Sequence, residues 1–454
     1  MREIMRTKLI PKNRQPPRLL QLRSSTTFII TTVWMSTFTD FLLYAMIVPV
    51  MPTALMERAG VPSEDREKWV SILLMCEAGT AFLLCPFFGY FVDRARTRRL
   101  PFLGALFILA GCMVALQTSH SLAMFIVGRL LQGCAGALVV VAAFSLLTDT
   151  VPREHLGQAI GYLGSAIASG FLLGPFIGGL VYNAGGYDAV FWAAYSIIAV
   201  DLMMRTTMIE KKVAASWMRL SDIEDETFLG STGSRVMVST QELQPGSRFA
   251  LFRILSQRRV LISSWALLVH GILLSAFDAT LSIFVESRYG WSAQGMGLIF
   301  LPMAVPAFFE PLFGYITDRF GARYFAFGCF SLLSPALICL RFTEINSATH
   351  IALLVVLLFL IGIFIHGCAP AMFVETQQAL TALETRRPGL LGPKGAVAQG
   401  FGLQSMCQFA GVFFGPLWGG FVEYRFGWGA MSGTLGVLAA LTAMPMLWLG
   451  EDNE

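Results

Sequence analysis

Seven ionisable residues lie inside long apolar stretches of this chain, where a charge is costly and usually has a function. They are Asp40, Glu77, Arg129, His270, Asp278, Glu310 and His366. Such a side chain normally faces a cavity or a partner of opposite charge. A carboxyl group in a cavity can take up a proton, because burial disfavours the charged form, and when ionised it can pair with a cationic solute. These residue types therefore predict the binding of protons and a solute within a membrane.

Their depth along the predicted helices places three of the seven close together. At a rise of about 1.5 Å per residue, Asp40, Glu77 and Arg129 fall in the same half of a hydrocarbon core about 30 Å thick. We therefore predict that Arg129 pairs with Asp40 or Glu77, either as a static ion pair or as part of a proton-coupling site. Tyr44, one turn from Asp40, and Gln132 are predicted to line the same cavity.

Asp278 is the counterpart of Asp40 in the second half of the chain, 238 positions later. His270 precedes it by two turns and is predicted either to relay protons or to pack as a hydrogen-bonded residue. Glu310 is included in the predicted cavity, although the sequence does not indicate which way it or His366 faces.

Composition and length predict the elements that carry these residues. The chain has 454 residues, of which 55% are hydrophobic and 14% charged, whereas a soluble domain carries about 25% charged residues. A span needs about 20 mostly apolar residues, so we predict an all-α membrane protein with twelve spans. In chain order, spans 1 to 12 are predicted at 26–52, 69–92, 100–117, 121–148, 156–182, 189–207, 260–285, 294–317, 324–341, 350–375, 396–422 and 428–449.

Six spans lie on each side of a polar stretch, so the chain divides into five predicted regions. These are a cytoplasmic N-terminal tail (1–25), a first six-helix bundle (26–207), a cytoplasmic central loop (208–259), a second six-helix bundle (260–449) and a cytoplasmic C-terminal tail (450–454). The central loop is predicted to be a flexible linker. Of the 33 Lys and Arg residues, 26 lie on the side of both termini, six lie on the other side and Arg129 lies within a span. This asymmetry predicts cytoplasmic termini.

A charged sequence landmark repeats in both halves and indicates a duplicated membrane unit. Gly89-Tyr-Phe-Val-Asp93-Arg94 recurs as Gly314-Tyr-Ile-Thr-Asp318-Arg319. An Asp at the end of one helix can face the positive N-terminal end of a neighbouring helix and pair with Arg. The alternative is that these charges only set the topology. We predict a conformational latch formed by Gly89, Asp93, Arg94, Arg98, Arg99, Gly314, Asp318 and Arg319.

A second repeated landmark is rich in glycine. Gly174-Pro175-Phe-Ile-Gly178-Gly179 lies in span 5, and Gly415-Pro416-Leu-Trp-Gly419-Gly420 lies in span 11. Small residues let helices approach closely and Gly-Pro permits a kink, so we predict a hinge at the interface of the halves, with ordinary tight packing as the alternative. The predicted hinge residues are Gly170, Gly174, Pro175, Gly178, Gly179, Gly415 and Pro416.

These motifs resemble those of the major facilitator superfamily. The segment Gly89–Arg99 is similar to its signature loop, and Arg129-Leu-Leu-Gln132-Gly133 resembles the RxxQG motif of its drug:proton antiporters. The glycines from Gly161 to Gly179 resemble the antiporter motif of the same group. The segment 40–52 resembles vesicular amine transporters and their fungal relatives, and 398–429 looks like the fungal members in particular.

The resemblance implies two pseudo-symmetric six-helix bundles with a pathway between them. Spans 1 and 7 line the pathway in this superfamily, so Asp40 and Asp278 would each supply one carboxylate from one half. The vesicular amine transporters similarly bear an acid at both positions. Their acids in spans 10 and 11 have no counterpart here, where His366 and Ser405 are the nearest residues. An amine, a neutral compound and an acidic metabolite all stay open as substrates.

Together these features predict a proton-coupled antiporter, functional as a monomer, that exports a small organic compound such as a secondary metabolite or drug by alternating access. The alternative is proton-linked uptake or vesicular loading of an amine, sugar or siderophore. The plasma membrane is the expected location, with an internal vesicle or vacuole second.

Other classes of function find no support in the sequence. It contains no nucleophile–His–acid set, metal cluster or phosphate loop. We therefore expect no enzyme activity, cofactor, metal site or nucleic-acid partner. The predicted partners are a small-molecule substrate, protons and the lipid bilayer.

Overall fold

The computed structural model describes residues 17–217, 250–291, 293–391 and 395–449. The predicted C-terminal tail, the middle of the central loop and most of the N-terminal tail lie outside these residues. The described chain is helical, and its long helices form two six-helix bundles, which confirms the predicted fold class.

The first bundle contains spans 1 to 6. Span 1 is Thr26–Ile47, span 2 is Arg66–Arg94, span 3 is Arg99–Gln117, span 4 is Leu122–Thr150, and spans 5 and 6 are joined in Leu156–Thr207. The join lies at Gly186, whose φ of 74° suits glycine because it has no Cβ. Span 1 ends earlier than predicted, just before Pro49, which has no backbone N–H to continue the hydrogen bonds of the helix.

Span 8 is the irregular element of the second bundle. It consists of the helices Ala293–Leu298, Leu301–Ala304 and Glu310–Phe320, with the 3-10 turn Val305–Phe309 between the last two. Pro302, Pro306 and Pro311 account for the breaks, since proline cannot donate a backbone hydrogen bond. The other spans, 7 and 9 to 12, are Arg258–Tyr289, Ala322–Cys339, Ala348–Arg386, Val397–Phe426 and Trp428–Met446.

The described helices supply the twelve predicted spans. By length and composition, 10 helical stretches could cross a membrane, and the stretch Arg153–Trp217 contains both span 5 and span 6. Span 11 is not among the 10, but its 30 residues are long enough to cross.

The packing repeats between the two halves, as the sequence landmarks do. Span 1 packs on span 5 in the first bundle, and span 7 packs on span 11 in the second. Between the bundles, span 2 packs on span 11 and span 5 packs on span 8. Each half therefore offers the same two elements to the other half.

The start of the central loop differs from the predicted flexible linker. Residues 211–217 are helical. Ile209 donates its backbone N–H to the carbonyl oxygen of Arg23 at 3.0 Å. Lys212 Nζ lies 2.7 Å from Asp149 Oδ1 at the end of span 4. These contacts fasten the segment to the first bundle, which is why it is ordered.

Candidate functional site

A cavity of about 630 Å³ lies between the two bundles and is lined by residues of both. We call the end of the molecule that carries Arg94, Arg96, Arg98 and Arg99 the basic face.

Four carboxyl groups line the cavity, two from each bundle. They belong to Asp40 on span 1, Glu77 on span 2, Asp278 on span 7 and Glu310 on span 8. The Asp40 side chain is largely buried, whereas Asp278 is exposed to the cavity. No lysine or arginine is found among the described lining residues. A lining that is acidic and carries no fixed positive charge attracts cations, including protons.

The Asp40 carboxylate rests against span 4 at a position that has no side chain. A Cβ built on Gly136 would lie 3.1 Å from Asp40 Oδ2. A larger residue there would therefore press on the carboxylate. Asp40 Oδ1 has no hydrogen-bond partner in the described part of the chain. This buried oxygen can consequently take up a proton without the loss of a hydrogen bond.

Arg129 does not form the predicted ion pair with Asp40 or Glu77. Its side chain is fully buried, and its Nη1 donates to Gln132 Oε1 at 2.7 Å, one turn along the same helix. Its Nε and Nη2 atoms have no hydrogen-bond partner among the residues that the structure describes. The neighbouring amide has taken the place of the carboxylate, because it lies on the same helix face at the i+3 position.

Aromatic rings form one wall of the cavity beside Asp40. The Phe171 ring centroid lies 5.3 Å from that of Phe41 and 5.7 Å from that of Tyr44. The guanidinium carbon of Arg129 lies 5.5 Å from the centre of the Tyr44 ring. Aromatic faces attract cations, so this wall complements the acidic groups next to it.

His270 lines the cavity two turns from Asp278. Its Nδ1 lies 3.4 Å from Gln408 Nε2 on span 11. Its Nε2 has no hydrogen-bond partner within the described ranges. The residue thus has one nitrogen in a packing contact and one that could exchange a proton.

Glu310 and His366, whose facing the sequence left open, come together at the cavity wall. His366 Nδ1 lies 2.7 Å from Glu310 Oε1, and both residues line the cavity. The other carboxylate oxygen, Oε2, occupies the place that a Cβ on Gly164 of span 5 would take. An acid–imidazole pair of the second bundle therefore touches the first bundle directly.

Asp93, at the end of span 2, binds the start of span 11 in the other bundle. Its carboxylate accepts the backbone N–H groups of Ala398 and Gln399 at 3.1 and 2.9 Å. These are the second and third residues of the helix, whose N–H groups have no acceptor within the helix. The N-cap residue, Ala396, makes no side-chain capping bond. Asp93 therefore caps a helix of the opposite half.

Asp318 repeats this arrangement at the start of span 5. Its carboxylate accepts the backbone N–H groups of Gly157 and Gln158 at 2.8 and 2.9 Å, again the second and third residues of a helix. Small residues permit the approach, since a Cβ on Gly157 would lie only 2.6 Å from the Gly314 carbonyl oxygen. The two halves are therefore joined at the basic face by two equivalent caps.

The arginines of the predicted latch make their contacts within their own half. Arg98 Nη1 lies 3.0 Å from Asp93 Oδ1, and its Nε lies 3.2 Å from Asp149 Oδ2. Arg99 Nε donates to the Arg205 carbonyl oxygen at 3.1 Å. Arg94 donates to the Tyr90 hydroxyl, and the Arg319 guanidinium carbon lies 5.7 Å from the Phe320 ring centre. The contacts between halves come from the acids and from the glycines, Gly89 and Gly314.

A stack of three buried phenylalanines closes the cavity on the side of the basic face. Phe144 of span 4 lies 4.2 Å from Phe373 of span 10 and 5.1 Å from Phe401 of span 11, measured between ring centroids. Phe144 and Phe373 also line the cavity. The sequence did not predict this stack, because nothing distinguishes its three residues from the other Phe residues among the 37 in the chain.

The predicted hinge glycines lie within the halves, not at the interface between them. A Cβ on Gly170 would lie 2.8 Å from Leu42 N, and one on Gly174 would lie 2.9 Å from Leu42 O, so both pack span 5 on span 1. Gly415 likewise packs span 11 on Ile272 of span 7. The predicted location was therefore wrong for these glycines, and nothing lies within 4 Å of a Cβ on Gly179.

The glycines of span 5 that do meet the other half come earlier in the helix. They are Gly157, Gly161 and Gly164, spaced three to four residues apart on one helix face. Pro175 lines the cavity, and Pro416 lies within the helix of span 11. The interface thus uses the first turns of span 5, and the later glycines serve packing inside the first bundle.

Sequence reasoning also missed a buried ion pair that joins spans 1, 3 and 6. Arg205 Nη2 lies 2.7 Å from Asp201 Oδ2, and both side chains are fully buried. Ser36 Oγ donates to Asp201 Oδ1 at 2.7 Å, and Arg205 donates to the Phe102 carbonyl oxygen. The i,i+4 spacing of an acid and a base was the available signal.

Comparison with known proteins places these features in a wider context. A family model described as Major Facilitator Superfamily matches residues 33–381 and 289–454. The chain is 29% identical over 459 residues to the MFS-type transporter ppzB of Metarhizium rileyi (strain RCEF 4871), which covers 94% of this chain and 95% of the relative. It is 23% identical to Multidrug resistance protein 1 of Bacillus subtilis (strain 168), over 90% of this chain and 94% of that protein.

A solved structure shows the same fold. The human organic anion transporter MFSD10 (TETRAN) superposes with a TM-score of 0.68 at 18% identity, covering 95% of this chain and 100% of that chain.

Proposed function

Because the chain belongs to the major facilitator superfamily, we propose that it is a proton-coupled antiporter that exports a small organic cation by alternating access. The observation that carries the proposal is the acidic cavity between the bundles, to which each half contributes two carboxyl groups. The resemblance of Arg129–Gly133 and of span 5 to drug:proton antiporter motifs supports the direction of transport. The similarity to a multidrug resistance protein agrees with it.

The charge of the lining supports a cation as the substrate. Glu310 is paired with His366, but Asp40, Glu77 and Asp278 make no ion pair within the described part of the chain. They cannot all stay ionised between apolar walls, because a buried charge without a partner is very costly. Protons or an organic cation must therefore neutralise them. When both compete for Asp40 and Asp278, the binding of one displaces the other. Such competition for shared carboxylates is the physical basis of exchange.

The walls of the cavity fit the apolar body of such a molecule. The Phe41, Tyr44 and Phe171 rings stand next to Asp40, where they can contact both the charge and the hydrocarbon part of a solute. A volume of about 630 Å³ lies within the range of small-molecule sites. An aromatic or alicyclic amine, as found among drugs and secondary metabolites, satisfies both requirements.

The contacts at the basic face support a state closed on that side. Two caps, packed glycine pairs and the phenylalanine stack separate the cavity from the basic face. The asymmetry of Lys and Arg residues supports the assignment of this face to the cytoplasmic side. The cavity would then exchange its contents with the opposite side, and rocking of the two bundles would expose it to the cytoplasm. We place the protein in the plasma membrane, with an internal vesicle as the second location.

The proposal can be tested with the purified protein in liposomes. Ethidium and tetraphenylphosphonium serve as probes because their charge does not change with pH. An imposed pH gradient should drive their movement against the flow of protons, and an ionophore that collapses the gradient should stop it. Asp278→Asn should abolish the gradient-driven movement, whereas the matched control Glu286→Gln, exposed on the same helix but outside the cavity, should not.

Three outcomes would contradict the proposal. The first is that neither cation moves against protons. The second is movement together with protons, which would indicate uptake in place of export. The third is gradient-driven movement that Asp278→Asn leaves intact, which would remove this carboxylate from the coupling site.

A further inference from the structure

We infer that Glu310 and His366 form a second proton-binding site, which the first bundle covers when the basic face is closed and uncovers when it opens. The inference rests on the proton coupling proposed above, and it adds a site distinct from Asp40 and Asp278. It depends on three observations: the contact between the two side chains, their burial, and the glycines of span 5 that lie against them.

The pair is built to hold a shared proton. His366 Nδ1 and Glu310 Oε1 are 2.7 Å apart, a hydrogen-bond distance at which one proton serves both groups. Glu310 is the first residue of the last helical segment of span 8, so the helix end also stabilises its negative form. With one proton the pair is neutral overall. A second proton would give it a charge of plus one.

The first bundle approaches the Glu310 member of this pair with two glycines. Gly161 and Gly164 lie against Glu310 and leave no room for a side chain, since a Cβ on Gly164 would overlap Glu310 Oε2. A Cβ on Gly161 would meet the Glu310 carbonyl oxygen and would lie 2.6 Å from Pro311 Cα. The Glu310 side chain is consequently almost inaccessible, with 9% of its surface exposed.

The other titratable groups around the pair belong to the second bundle. Cys368 on span 10 lies near Glu310, and His270 on span 7 lies near His366. Cys329 of span 9 lies beside Gly367, next to His366 in the chain. Among the described residues, span 5 presents glycine to the carboxylate and no charge. The first bundle therefore controls access to the pair without supplying a counter-charge.

This arrangement couples a proton to the position of the bundles. A second proton makes the pair cationic. This is less favourable while span 5 covers the side of Glu310 that does not face the cavity, and more favourable once the interface separates and water reaches that side as well. Acidification should therefore shift the protein towards the state that is open at the basic face. If the two states differ tenfold in their affinity for this proton, saturation with protons changes the ratio of the states by about tenfold.

Hydrogen–deuterium exchange of the Gly157 and Gln158 amides reports this opening. Their acceptors are the oxygens of Asp318 across the interface, and as helix N-terminal groups they have no acceptor in their own helix. The purified protein is compared at about pH 7.5 and about pH 5.5, with exchange expressed relative to a control variant at the same pH, so that the intrinsic pH effect on exchange cancels. The control is Glu286→Gln, the same chemical change at an exposed site.

Lowering the pH should open the basic face of the control protein, so amide exchange in a variant of the pair should fall about tenfold relative to the control between the two pH values. Glu310→Gln should remove most of that response, because glutamine keeps a hydrogen bond to His366 but cannot take the proton. His366→Gln tests the same site independently and should also flatten the response, which matters if one of the two variants folds poorly.

A pH response that both variants retain would overturn the inference and assign the effect to Asp93 and Asp318. An opening that acid suppresses would overturn it too. The deuterium-exchange measurement requires no substrate, so its outcome is independent of the liposome transport assay. Cations that fail to exchange with protons would refute the proposed function even where the Glu310-dependent opening is found.

Discussion

The cap that Asp93 places on span 11 leads to a quantitative prediction. Asp93→Asn keeps one carbonyl oxygen as an acceptor but loses the charge and the second acceptor oxygen. One lost hydrogen bond is worth about 1 kcal/mol, and the lost attraction to the helix N-terminus is worth about 0.5–1 kcal/mol. The closed state should therefore lose about 2 kcal/mol, which corresponds to a roughly 30-fold shift towards the open state.

The Ala398 and Gln399 amides provide the assay, because Asp93 is their acceptor across the interface. Their deuterium exchange should rise about 30-fold in Asp93→Asn at constant pH. If the bundles move as rigid bodies, the Gly157 and Gln158 amides at the other cap should accelerate by the same factor. Asp188→Asn, which changes an acid outside this interface, serves as the matched control.

Two results would refute this reasoning. Unchanged exchange at Ala398 and Gln399 would show that the cap contributes nothing to closure. Faster exchange there with normal exchange at Gly157 and Gln158 would show local fraying of span 11. In that case Asp93 would stabilise a helix end without holding the halves together. In the liposome transport assay, Asp93→Asn should lower the turnover rate far more than it weakens substrate binding.

Three further predictions concern the buried ion pair of Asp201 and Arg205 and the packing at the basic face. Asp201→Asn should destabilise the protein by about 3 kcal/mol, because Arg205 would keep a buried charge without its partner; a thermal unfolding curve in detergent measures this, and an unchanged midpoint would contradict it. Gly89→Ala should reduce transport at least tenfold, since its Cβ would lie 2.7 Å from the Ala398 carbonyl oxygen and backbone atoms yield little. Gly104→Ala, with nothing within 4 Å, is its control, and equal transport by the two variants would show that the basic face tolerates the methyl group. Phe144→Ala should open the phenylalanine stack and let protons cross without substrate, which a pH-sensitive dye inside liposomes would detect. If the liposomes leak no protons, the two caps alone close the cavity.

The sequence predicted the fold and the acidic residues for one physical reason. A charge inside a membrane is costly, so each ionisable residue in a span had to face a cavity or a partner. Asp40, Glu77, Asp278 and Glu310 all line the cavity. The twelve spans followed from length and apolar composition, which the bilayer itself imposes.

The neutral parts of the site could not be predicted in the same way. Lipid is as apolar as a protein core, so a Phe that faces lipid and one that faces a neighbouring helix look alike in the sequence. The stack of Phe144, Phe373 and Phe401 therefore gave no signal. The location of the hinge was predicted wrongly for the same reason. Gly170 and Gly164 are both small residues on span 5, and only the packing shows that they contact different neighbours.

The pairing of Glu310 with His366 depended on the breaks in span 8. Three prolines interrupt its helix and set where Glu310 points, which helical periodicity alone does not give. Arg129 shows the converse limit. Its buried charge predicted a carboxylate partner, and this was wrong, because an amide on its own helix accepts its hydrogen bond.

The two caps at the basic face have a consequence for how this protein can change over generations. Both acceptors are side chains, and four of their donors are backbone amides, to which the Gln399 side chain adds a fifth donor, 3.4 Å from Asp93 Oδ2. A substitution at 158 keeps the backbone donor whatever the side chain, and only proline would remove it. The helix starts are nevertheless limited in size at Gly157, where a Cβ would lie 2.6 Å from the Gly314 carbonyl oxygen, and at the fully buried Ala398. Inherited changes at Asp93 or Asp318 would therefore alter closure directly, whereas changes at 158 would leave the cap in place.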